Sequence, residues 1–440
     1  MLCAVMNPRI QSQVNEQAMK VIVTAYACNP AKGSEEGVGW NWVKCIAGFC
    51  DPCVLVASFH RDDIDAYLRR HPDELKNVQF VYVRRKPWHY RPSPGWKKIE
   101  ESIAKPVMNL AYMLWLKDAF ALAQALHREQ HFVLAHQLTY VGFRFPGRLW
   151  KLGIPFVWGP VGGLENLSWR FLPALGIRGA IYYAGRNLIN SAQRLFLRSA
   201  GKSFRQAKVV IAATSGIQRE IRRWYGVDSR VICEVGPPEV VTAEAKRRQN
   251  HDPLRLVWSG EHLPGKALPL LLQALSRMNS GCSWHLDILG HGPLTVAWKN
   301  QAAELGLLDH CTWHGLLPRE AALDVMSQGH VFVITSLKDL TSTVLLEALA
   351  LGLPVICPDH CGFSDVVNDA CGIKLPMKNP ARLIDDLRAA VNGLCEDETK
   401  RGSMAEAALQ RVETFSWERK AMEIEQAYRQ AMTGSGITRT

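Results

Sequence analysis

The chain has 440 residues, of which 48% are hydrophobic and 21% charged, and its formal net charge is +11. This length predicts two or three domains, and so large an apolar fraction excludes global disorder. No run of 18 apolar residues occurs and the first residues hold no apolar core of a signal peptide. We therefore expect a cytoplasmic protein without a membrane-spanning helix.

The positive charge predicts an anionic partner or surface. No motif of a DNA- or RNA-binding module occurs, so a nucleic-acid partner is not expected. The segment Arg84 to Arg91 mixes basic and aromatic residues, which is typical of loops at lipid headgroups. Two interpretations of this segment are open. It contacts an anionic membrane peripherally, at the inner face of the cytoplasmic membrane, or it is a solvated basic loop.

Twelve cysteines are scattered along the chain. Cys50 and Cys53 form one C-x-x-C pair, but no second pair follows at the spacing of a zinc site. Because a reducing compartment is expected, we predict that the cysteines are buried or unreactive free thiols.

Short apolar runs alternate with helical stretches, a pattern that predicts parallel sheets covered by helices. The predicted strands of the first half are residues 21–25, 54–57, 78–83, 132–135, 156–158 and 209–213. A second set follows the polar stretch 242–252, with strands at 254–258, 284–289, 331–334 and 355–357. The fold class is therefore α/β, with two doubly wound domains whose ligands bind at the carboxyl ends of the strands.

The loop that follows the first strand contains Gly37 and Gly39 and leads into a helix. It does not match G-x-G-x-x-G, so a dinucleotide fingerprint is not supported. Both glycines are candidates for close approach of the backbone to a ligand, and a flexible surface turn is the alternative.

Two later strands of the first half end in segments that are candidates for the acceptor side of a site. His136 follows the run 132–135, and it is either a catalytic residue of the cleft, bonded to the transferred sugar or polarising the acceptor, or a structural histidine. The segment 158–165 is rich in glycine, and Gly162 and Gly163 would shape a pocket. Glu165 is either a base on that side or a cap for the next turn.

In the second half, a glycine-containing loop with Gly260 and Glu261 follows the run 254–258 and ends at Lys266. A lysine at such a turn supplies a point charge for phosphate. The turn at Gly290 follows the next strand, and its glycines allow a ligand to approach the backbone.

The most informative stretch runs from Asp339 to Glu347. A buried run precedes it, and Thr341, Ser342 and Thr343 are typical of the start of a helix. The N–H groups at that helix start would suit a phosphate. The two carboxylates of Asp339 and Glu347 cannot attract an anion, so we expect them to bind hydroxyl groups. A phosphate site flanked by two hydroxyl acceptors predicts a sugar-nucleotide site.

This stretch resembles the signature of the family-4 retaining glycosyltransferases of GT-B fold, in which an acidic residue, seven others and a glutamate follow one another. The resemblance implies that Asp339, in place of the usual glutamate, binds hydroxyls of the donor sugar and that Glu347 binds the ribose of the nucleotide. It implies that Lys266 holds the donor diphosphate. Glu261 stands where the family has an arginine, which removes one phosphate partner, and His262 or an arginine of the first domain could replace it.

The same resemblance implies the roles of the remaining candidates. Gly37 and Gly39 would lie over the donor phosphates, Gly290 would border the donor, and His136 would face the cleft. The segment 158–165 is similar to the Gly-Pro-x-Gly-Gly segment of a bacterial subset of the family. The implied architecture is GT-B, with a Rossmann-like acceptor domain at 20–240, a Rossmann-like nucleotide-sugar domain at 250–412, and a C-terminal helix at 416–433 that returns to the first domain.

We therefore predict a retaining glycosyltransferase that moves a hexose from a nucleotide sugar to a lipid-linked or saccharide acceptor, in exopolysaccharide or cell-envelope polysaccharide biosynthesis. No metal-ligand cluster stands out, so neither a metal ion nor another cofactor is expected. Two alternatives are a sugar-nucleotide epimerase of the same fold and a catalytically inactive sugar-nucleotide-binding partner protein. The sugar, the base and the acceptor are not encoded in a readable motif.

Overall fold

A computed structural model describes residues 19–84, 97–238, 244–249 and 252–434, and the side chains from residue 109 onward within the long helix that begins at Lys97. Most of the segment 84–91, which was predicted to contact lipid headgroups or solvent, lies outside the described residues. No helix of the described part is long and apolar enough to cross a membrane.

The first half builds a parallel sheet in the order β3-β2-β1-β4-β5-β6-β7. Its buried strands are rich in valine, isoleucine and leucine, as expected for a sheet covered on both faces. The strands are β1 (Lys20–Ala25), β2 (Asp51–Ala57), β3 (Gln79–Val83), β4 (Leu134–Thr139), β5 (Phe156–Val161), β6 (Val209–Ala212) and β7 (Arg230–Val231).

The second half builds a parallel sheet in the order β10-β9-β8-β11-β12-β13. Its strands are β8 (Leu254–Ser259), β9 (Trp284–Leu289), β10 (Cys311–Gly315), β11 (Val331–Val333), β12 (Val355–Pro358) and β13 (Gly372–Leu375). In both sheets the strand order reverses next to the first strand, and such a switch point opens a crevice for ligands. The predicted GT-B fold, with two Rossmann-like sheets facing a cleft, is confirmed.

Helices cover both faces of the two sheets. Those of the first half are α1 (Ser34–Ala47), α2 (Arg61–Arg70), α3 (Lys97–Gln130), α4 (Gly176–Phe196), α5 (Arg198–Gln206) and α6 (Ser215–Tyr225). Those of the second half are α7 (Leu268–Leu275), α8 (Thr295–Glu304), α9 (Arg319–Ser327), α10 (Thr343–Ala350), α11 (Phe363–Val366), α12 (Pro380–Glu396), α13 (Glu398–Val412) and α14 (Trp417–Thr433). Short 3-10 turns occur at Ser58–His60, Leu149–Leu152, Trp169–Leu175, Pro264–Lys266, Leu308–His310 and Glu413–Phe415.

The last helix, α14, packs against α1 and strands β4 to β6 of the first sheet. The Trp417 indole donates a hydrogen bond of 3.0 Å to the Pro237 carbonyl, and the Lys420 ammonium donates one to the Cys233 carbonyl. The Tyr428 side chain is fully buried against this sheet. Since α14 follows the second sheet in sequence, the chain crosses between the two sheets twice. The domain limits 20–240 and 250–412 stay a prediction.

The cysteines differ from the prediction at one pair. Cys282 and Cys395 form a disulfide that joins the start of β9 to the end of α12. The sequence does not reveal it because 113 residues separate the two sulfurs. Nine other cysteines of the described residues are free thiols, including Cys50, Cys53 and Cys357.

Candidate functional site

Lys266 and Asp339 meet at the carboxyl ends of the second sheet. The loop after β8 carries Lys266, and the loop after β11 carries Asp339, so adjacent parallel strands deliver both side chains to one edge. The Lys266 ammonium lies 2.6 Å from an Asp339 carboxylate oxygen, and both side chains are mostly buried. Lys266, a positive charge that suits phosphate, and Asp339, an acceptor that suits hydroxyl groups, are therefore in direct contact.

Glu347 lies on α10 and accepts two hydrogen bonds, of 3.0 and 2.8 Å, from the Arg319 guanidinium at the start of α9. Both bonds use the same carboxylate oxygen, Oε1. The Glu347 side chain is largely buried, whereas that of Arg319 is mostly exposed. The second oxygen of Glu347 has no hydrogen bond to a described residue, so it is available to a ligand.

A cavity of about 570 Å³ opens beside Glu347, between the two sheets. The first half contributes the loop 29–33 with Gly37, and the second half contributes Arg319, Thr343 and Glu347. This volume lies within the range of about 300–1,000 Å³ that is typical of small-molecule sites. Asp339 is not among the residues that line the cavity. The predicted residues of both halves therefore converge at Gly37, Thr343 and Glu347.

The start of α10 differs in part from the prediction. Thr341 is buried, and its backbone N–H donates a hydrogen bond of 2.8 Å to Glu234, a residue of the segment that follows β7. A carboxylate of the protein therefore takes the N–H that was predicted to bind phosphate, which corrects the assignment of Thr341. Within the described residues, the N–H groups of Ser342 and Thr343 have no such partner, and they keep their predicted role.

Gly260 and Gly290 lie at the ends of the neighbouring strands β8 and β9. A Cβ atom at Gly290 would stand 2.0 Å from the Gly260 carbonyl oxygen, and the Gly290 φ angle is +112°, so only glycine fits. A Cβ atom at Gly260 would meet the methylene groups of Lys266 at 3.5 Å. The glycines thus let two strand ends approach each other next to the lysine.

The replacement for the missing arginine is not His262. Glu261 is exposed, whereas His262 is buried, and the His262 ring contacts the Thr295 hydroxyl at 2.7 Å through Nδ1. Burial, with His291 and Lys299 nearby, lowers the pKa of His262 to about 4. The ring is therefore neutral near pH 7 and supplies no charge to a diphosphate.

The loop before α1 lines part of the cavity, but its two glycines differ. Gly37 lines the cavity, while a Cβ atom at Gly39 would stand 1.9 Å from the Ala27 carbonyl oxygen. Gly39 is buried and allows α1 to pack closely on the end of β1. Its close approach is therefore to the protein backbone, which corrects its assignment as a ligand contact.

His136 does not face the cleft. Strand β4 continues to Thr139, so His136 lies inside the sheet rather than at its end, and it is fully buried. Its Nε2–H donates to the Gly159 carbonyl at 2.7 Å, which leaves Nδ1 to accept from the Tyr428 hydroxyl at 2.7 Å. Burial lowers the pKa of His136 to about 4. With both nitrogens bonded to α14 and β5, the ring cannot contact a sugar, and its predicted catalytic role is wrong.

The segment after β5 faces the loop that carries Asp339. A Cβ atom at Gly162 would stand 2.9 Å from the Leu340 side chain, so the glycine lets the two halves touch there. Gly163, with a φ angle of +80°, lies against the Arg144 guanidinium. The predicted acceptor-side glycines thus lie next to the predicted donor motif.

Glu165 is not a simple cap. Its Oε2 atom is buried and has no hydrogen bond to a described residue. Burial raises the pKa of Glu165, and the nearby charges of Lys338 and Arg219 oppose that shift. Glu165 borders a small cavity together with Arg144, Arg186 and Lys338. Three cations and one carboxyl group therefore surround the acceptor side.

Besides Arg144 and Arg186, sequence reasoning missed four residues of this region: Tyr183, Glu234, Arg319 and Lys338. Lys338 could have been found, since it adjoins Asp339 in sequence. The others had no local signal, because α4, the segment after β7 and α9 lie far from the motif in sequence. The Tyr183 hydroxyl, for example, lies so close to Gly265 that a Cβ atom there would stand 2.2 Å away.

Glu234 provides a test by pH. Burial raises the pKa of Glu234 to about 7, so its folded state holds a proton more tightly than an unfolded glutamate does. The stability that this proton contributes is complete below the unfolded pKa of about 4.5 and is lost as the pH rises through 7. Glu234→Gln should therefore gain roughly 3 kcal/mol relative to the wild-type protein between about pH 4 and pH 8.

Urea unfolding at each pH measures that difference, and other titrating groups cancel because both proteins share them. Glu320→Gln, at an exposed position of α9, is the matched control, and Glu234→Gln should show the larger change with pH. A flat Glu234→Gln difference would mean that the buried carboxyl group keeps its ordinary acidity.

A family model described as "Glycosyl transferases group 1" matches residues 241–411, the stretch that holds Lys266, Asp339 and Glu347. Over these residues the chain is therefore similar to the group 1 glycosyl transferases. The match ends before α14 and begins after the first sheet, so it covers the half in which the lysine and both carboxylates lie.

Curated relatives align with parts of this chain. The phosphatidylinositol N-acetylglucosaminyltransferase GPI3 subunit of Saccharomyces cerevisiae is 24% identical over 170 residues, 38% of this chain and 37% of its own length. The D-inositol 3-phosphate glycosyltransferase of Kribbella flavida is 28% identical over 217 residues, 47% of this chain and 50% of its own. The chain thus spans half or less of the length of these relatives.

Solved structures share the fold across nearly the whole chain. The lipopolysaccharide outer core galactosyltransferase WaaB superposes with a TM-score of 0.62 at 15% identity, over 93% of this chain and 99% of its own. HepE of Anabaena, solved with UDP-glucose, superposes with a TM-score of 0.56 at 14% identity, over 93% and 99%. At these identities the likeness concerns the fold.

Proposed function

We propose that the protein is a nucleotide-sugar-dependent glycosyltransferase that moves a hexose to a lipid-linked or saccharide acceptor with retention of configuration. The observation that carries the proposal is the contact between Lys266 and Asp339, which are far apart in sequence and close to α10, the helix of Glu347. The match of residues 241–411 to the group 1 model supports the reaction class, and relatives named as glycosyltransferases support it further.

In the proposed mechanism, the donor diphosphate lies between Lys266 and the N–H groups of Ser342 and Thr343. These fixed donors stabilise the charge that grows on the phosphate as the bond to the sugar breaks, and such preorganised charge is the main catalytic contribution. Asp339 accepts hydrogen bonds from sugar hydroxyls, and the free oxygen of Glu347 accepts from the ribose. The leaving phosphate accepts the proton of the acceptor hydroxyl, so a protein nucleophile is not required.

The acceptor would enter beside Gly162, Gly163 and Glu165. Arg144, Arg186 and Lys338 lie there, and their charges suit an acceptor that carries phosphate. The proposed setting is polysaccharide assembly of the exopolysaccharide or envelope kind, in line with a relative named as an amylovoran biosynthesis glycosyltransferase of Erwinia amylovora. Turnover is expected to continue without an added metal ion.

A panel of nucleotide sugars, scored by thermal unfolding, tests the proposal. A ligand at 100 times its dissociation constant should stabilise the folded protein by about 2.7 kcal/mol. Release of nucleoside diphosphate, measured with the stabilising donor, then separates an enzyme from an inactive sugar-nucleotide-binding protein. A new sugar nucleotide formed without an acceptor would instead indicate the epimerase alternative.

A further inference from the structure

Helix α4 is amphipathic, but its apolar side faces solvent and its polar side faces the protein. Its apolar residues Ile177, Ile181, Leu188 and Leu195 follow one another at spacings of 4, 7 and 7, which places them on one side of an α-helix. That side is exposed, with exposures of 82% at Ile177 and 63% at Leu188. In an ordinary surface helix the apolar stripe faces the core, so this arrangement requires an explanation.

The other side of α4 is polar and faces the protein. The Asn187 side chain donates to the Leu167 carbonyl at 2.7 Å and accepts from the Leu167 N–H at 3.0 Å. Asn190 and Arg194 donate to the Leu164 carbonyl at 3.0 and 3.1 Å, and Arg194 pairs with Glu220. These buried hydrogen bonds fix the rotation of the helix, so the apolar side cannot turn inward.

The apolar surface is broad and is bordered by aromatic side chains. Ile189 and Phe196 are exposed beside the stripe, with 78% exposure at Phe196. Trp169, in the turn before α4, and Tyr182 are about half exposed. Tryptophan and tyrosine prefer the boundary between water and lipid, because their rings are apolar and their N–H or O–H groups are polar.

The charge around α4 has one sign. No aspartate or glutamate occurs between Glu165 and Glu220, whereas nine lysines and arginines do. Most of the net charge of +11 therefore lies in this segment. Six of these residues are exposed between the turn before α4 and the end of α5: Arg170, Arg178, Arg186, Arg198, Lys202 and Arg205.

We propose that the exposed side of α4 docks on an anionic lipid bilayer, with the helix lying in the plane of the membrane surface. Its apolar side chains enter the boundary between headgroups and acyl chains, and the basic side chains contact lipid phosphates. At 21 residues, α4 would lie along about 31 Å of the surface. The residues of this face differ from those of segment 84–91, the sequence-based candidate for lipid contact.

A bilayer fits this surface better than a second copy of the chain. In a two-fold dimer formed through α4, the same surface meets itself, so Arg178 and its basic neighbours would lie against their own copies. Like charges at an interface cost free energy, and no acidic residue of this segment offsets them. An anionic bilayer neutralises all of them at once.

Two side chains of α4 link this surface to the candidate site. The Tyr183 hydroxyl lies against Gly265, which precedes Lys266, and Arg186 borders the small cavity with Lys338. Docking would therefore hold the acceptor side of the cleft close to the lipid phosphates. This consequence rests on the proposed function, but lipid binding itself does not.

Flotation of the full chain with phosphatidylcholine vesicles, with and without phosphatidylglycerol, tests the proposal. The wild-type protein should bind the vesicles that contain phosphatidylglycerol, and high salt should weaken binding because it screens the basic residues. Ile181→Gln/Leu188→Gln/Leu195→Gln should lower the bound fraction at least about tenfold, since three apolar side chains no longer enter the lipid.

Val296→Gln/Leu308→Gln/Met422→Gln is the matched control, because these apolar residues are also exposed but lie on other faces. It should bind as the wild-type protein does, and both variants should unfold at the wild-type temperature. Equal loss in both variants, or no binding by the wild-type protein at low salt, overturns the proposal. A stable dimer of the wild-type protein that is lost only in the α4 variant would also overturn the proposal, since a second copy would then cover the surface.

Binding and transfer can fail independently. Vesicle binding without stabilisation by any nucleotide sugar would retain the docking surface and reject the proposed function. Sugar transfer in detergent by a protein that does not bind vesicles would retain the proposed function and reject the docking surface.

Discussion

Lys266→Met should lower the rate of sugar transfer by about 10²- to 10³-fold, mainly in kcat, while the protein stays folded. The ammonium group is proposed to stabilise charge that appears on the diphosphate as the sugar leaves. Removing one such preorganised donor from an active site typically costs that much in kcat. Initial rates with the stabilising donor, over a range of concentrations, separate kcat from KM.

The contact between Lys266 and Asp339 makes a second variant informative. Their atoms are 2.6 Å apart, so Lys266→Met leaves a mostly buried carboxylate without its partner. If the pair only stabilised the fold, the double variant Lys266→Met/Asp339→Asn would recover activity, because the unpaired charge is gone. We expect it to stay as inactive as the worse single variant, since each residue is proposed to contact the donor.

Lys400→Met, at an exposed position of α13, is the matched control and should transfer at the wild-type rate. A Lys266→Met enzyme that keeps kcat within a factor of about three would contradict the assignment, because the lost charge would then be marginal for transition-state stabilisation. In that case Lys338, which also adjoins Asp339, becomes the next candidate for the phosphate.

Glu347→Gln should raise the KM for the donor by about 10- to 100-fold and change kcat little. A hydrogen bond to a charged group contributes about 1.5–3 kcal/mol, and a ribose contact is equally strong before and during the reaction. Calorimetric titration with the nucleoside diphosphate alone should show the same loss of affinity, because the ribose belongs to the nucleotide and not to the sugar.

Arg319 supplies the control for this variant. Since Arg319 occupies only Oε1 of Glu347 and is mostly exposed, its release costs little stability and Glu347→Gln should unfold near the wild-type temperature. Arg319→Gln should bind the nucleotide about as well as the wild-type protein or better. Unchanged affinity in Glu347→Gln, or an equal loss in both variants, would place the ribose elsewhere.

The local pattern was sufficient for the fold wherever strands were purely apolar. Strands β11 and β12 lie at the predicted positions, because continuous runs of apolar residues predict strands buried on both faces. Strand β4 was predicted to end at Ala135, since His136 and Gln137 are polar. Both are buried, and β4 extends through them because α14 and the loop after the strand supply their hydrogen bonds.

The same contrast holds at the candidate site. The spacing from Asp339 to Glu347 is local information, and one strand-to-helix turn carries it. The partner of Thr341 cannot be predicted from local sequence, since Glu234 is more than a hundred residues away along the chain. Arg319 likewise reaches Glu347 through the tertiary fold. Strands β10 and β11, which precede α9 and α10, lie in one sheet with β9 and β8 between them.

Sequence alone determined the alternation of strands and helices, the polar loops at strand ends and the excess of positive charge, because each depends on neighbouring residues and on simple sums. Tertiary structure decided which polar side chains are buried and which apolar ones are not. His136 turns inward and the stripe of α4 outward, since hydrogen bonds with distant segments, at Tyr428 and at Leu164 and Leu167, fix both orientations. No local pattern of hydrophobicity contains that information.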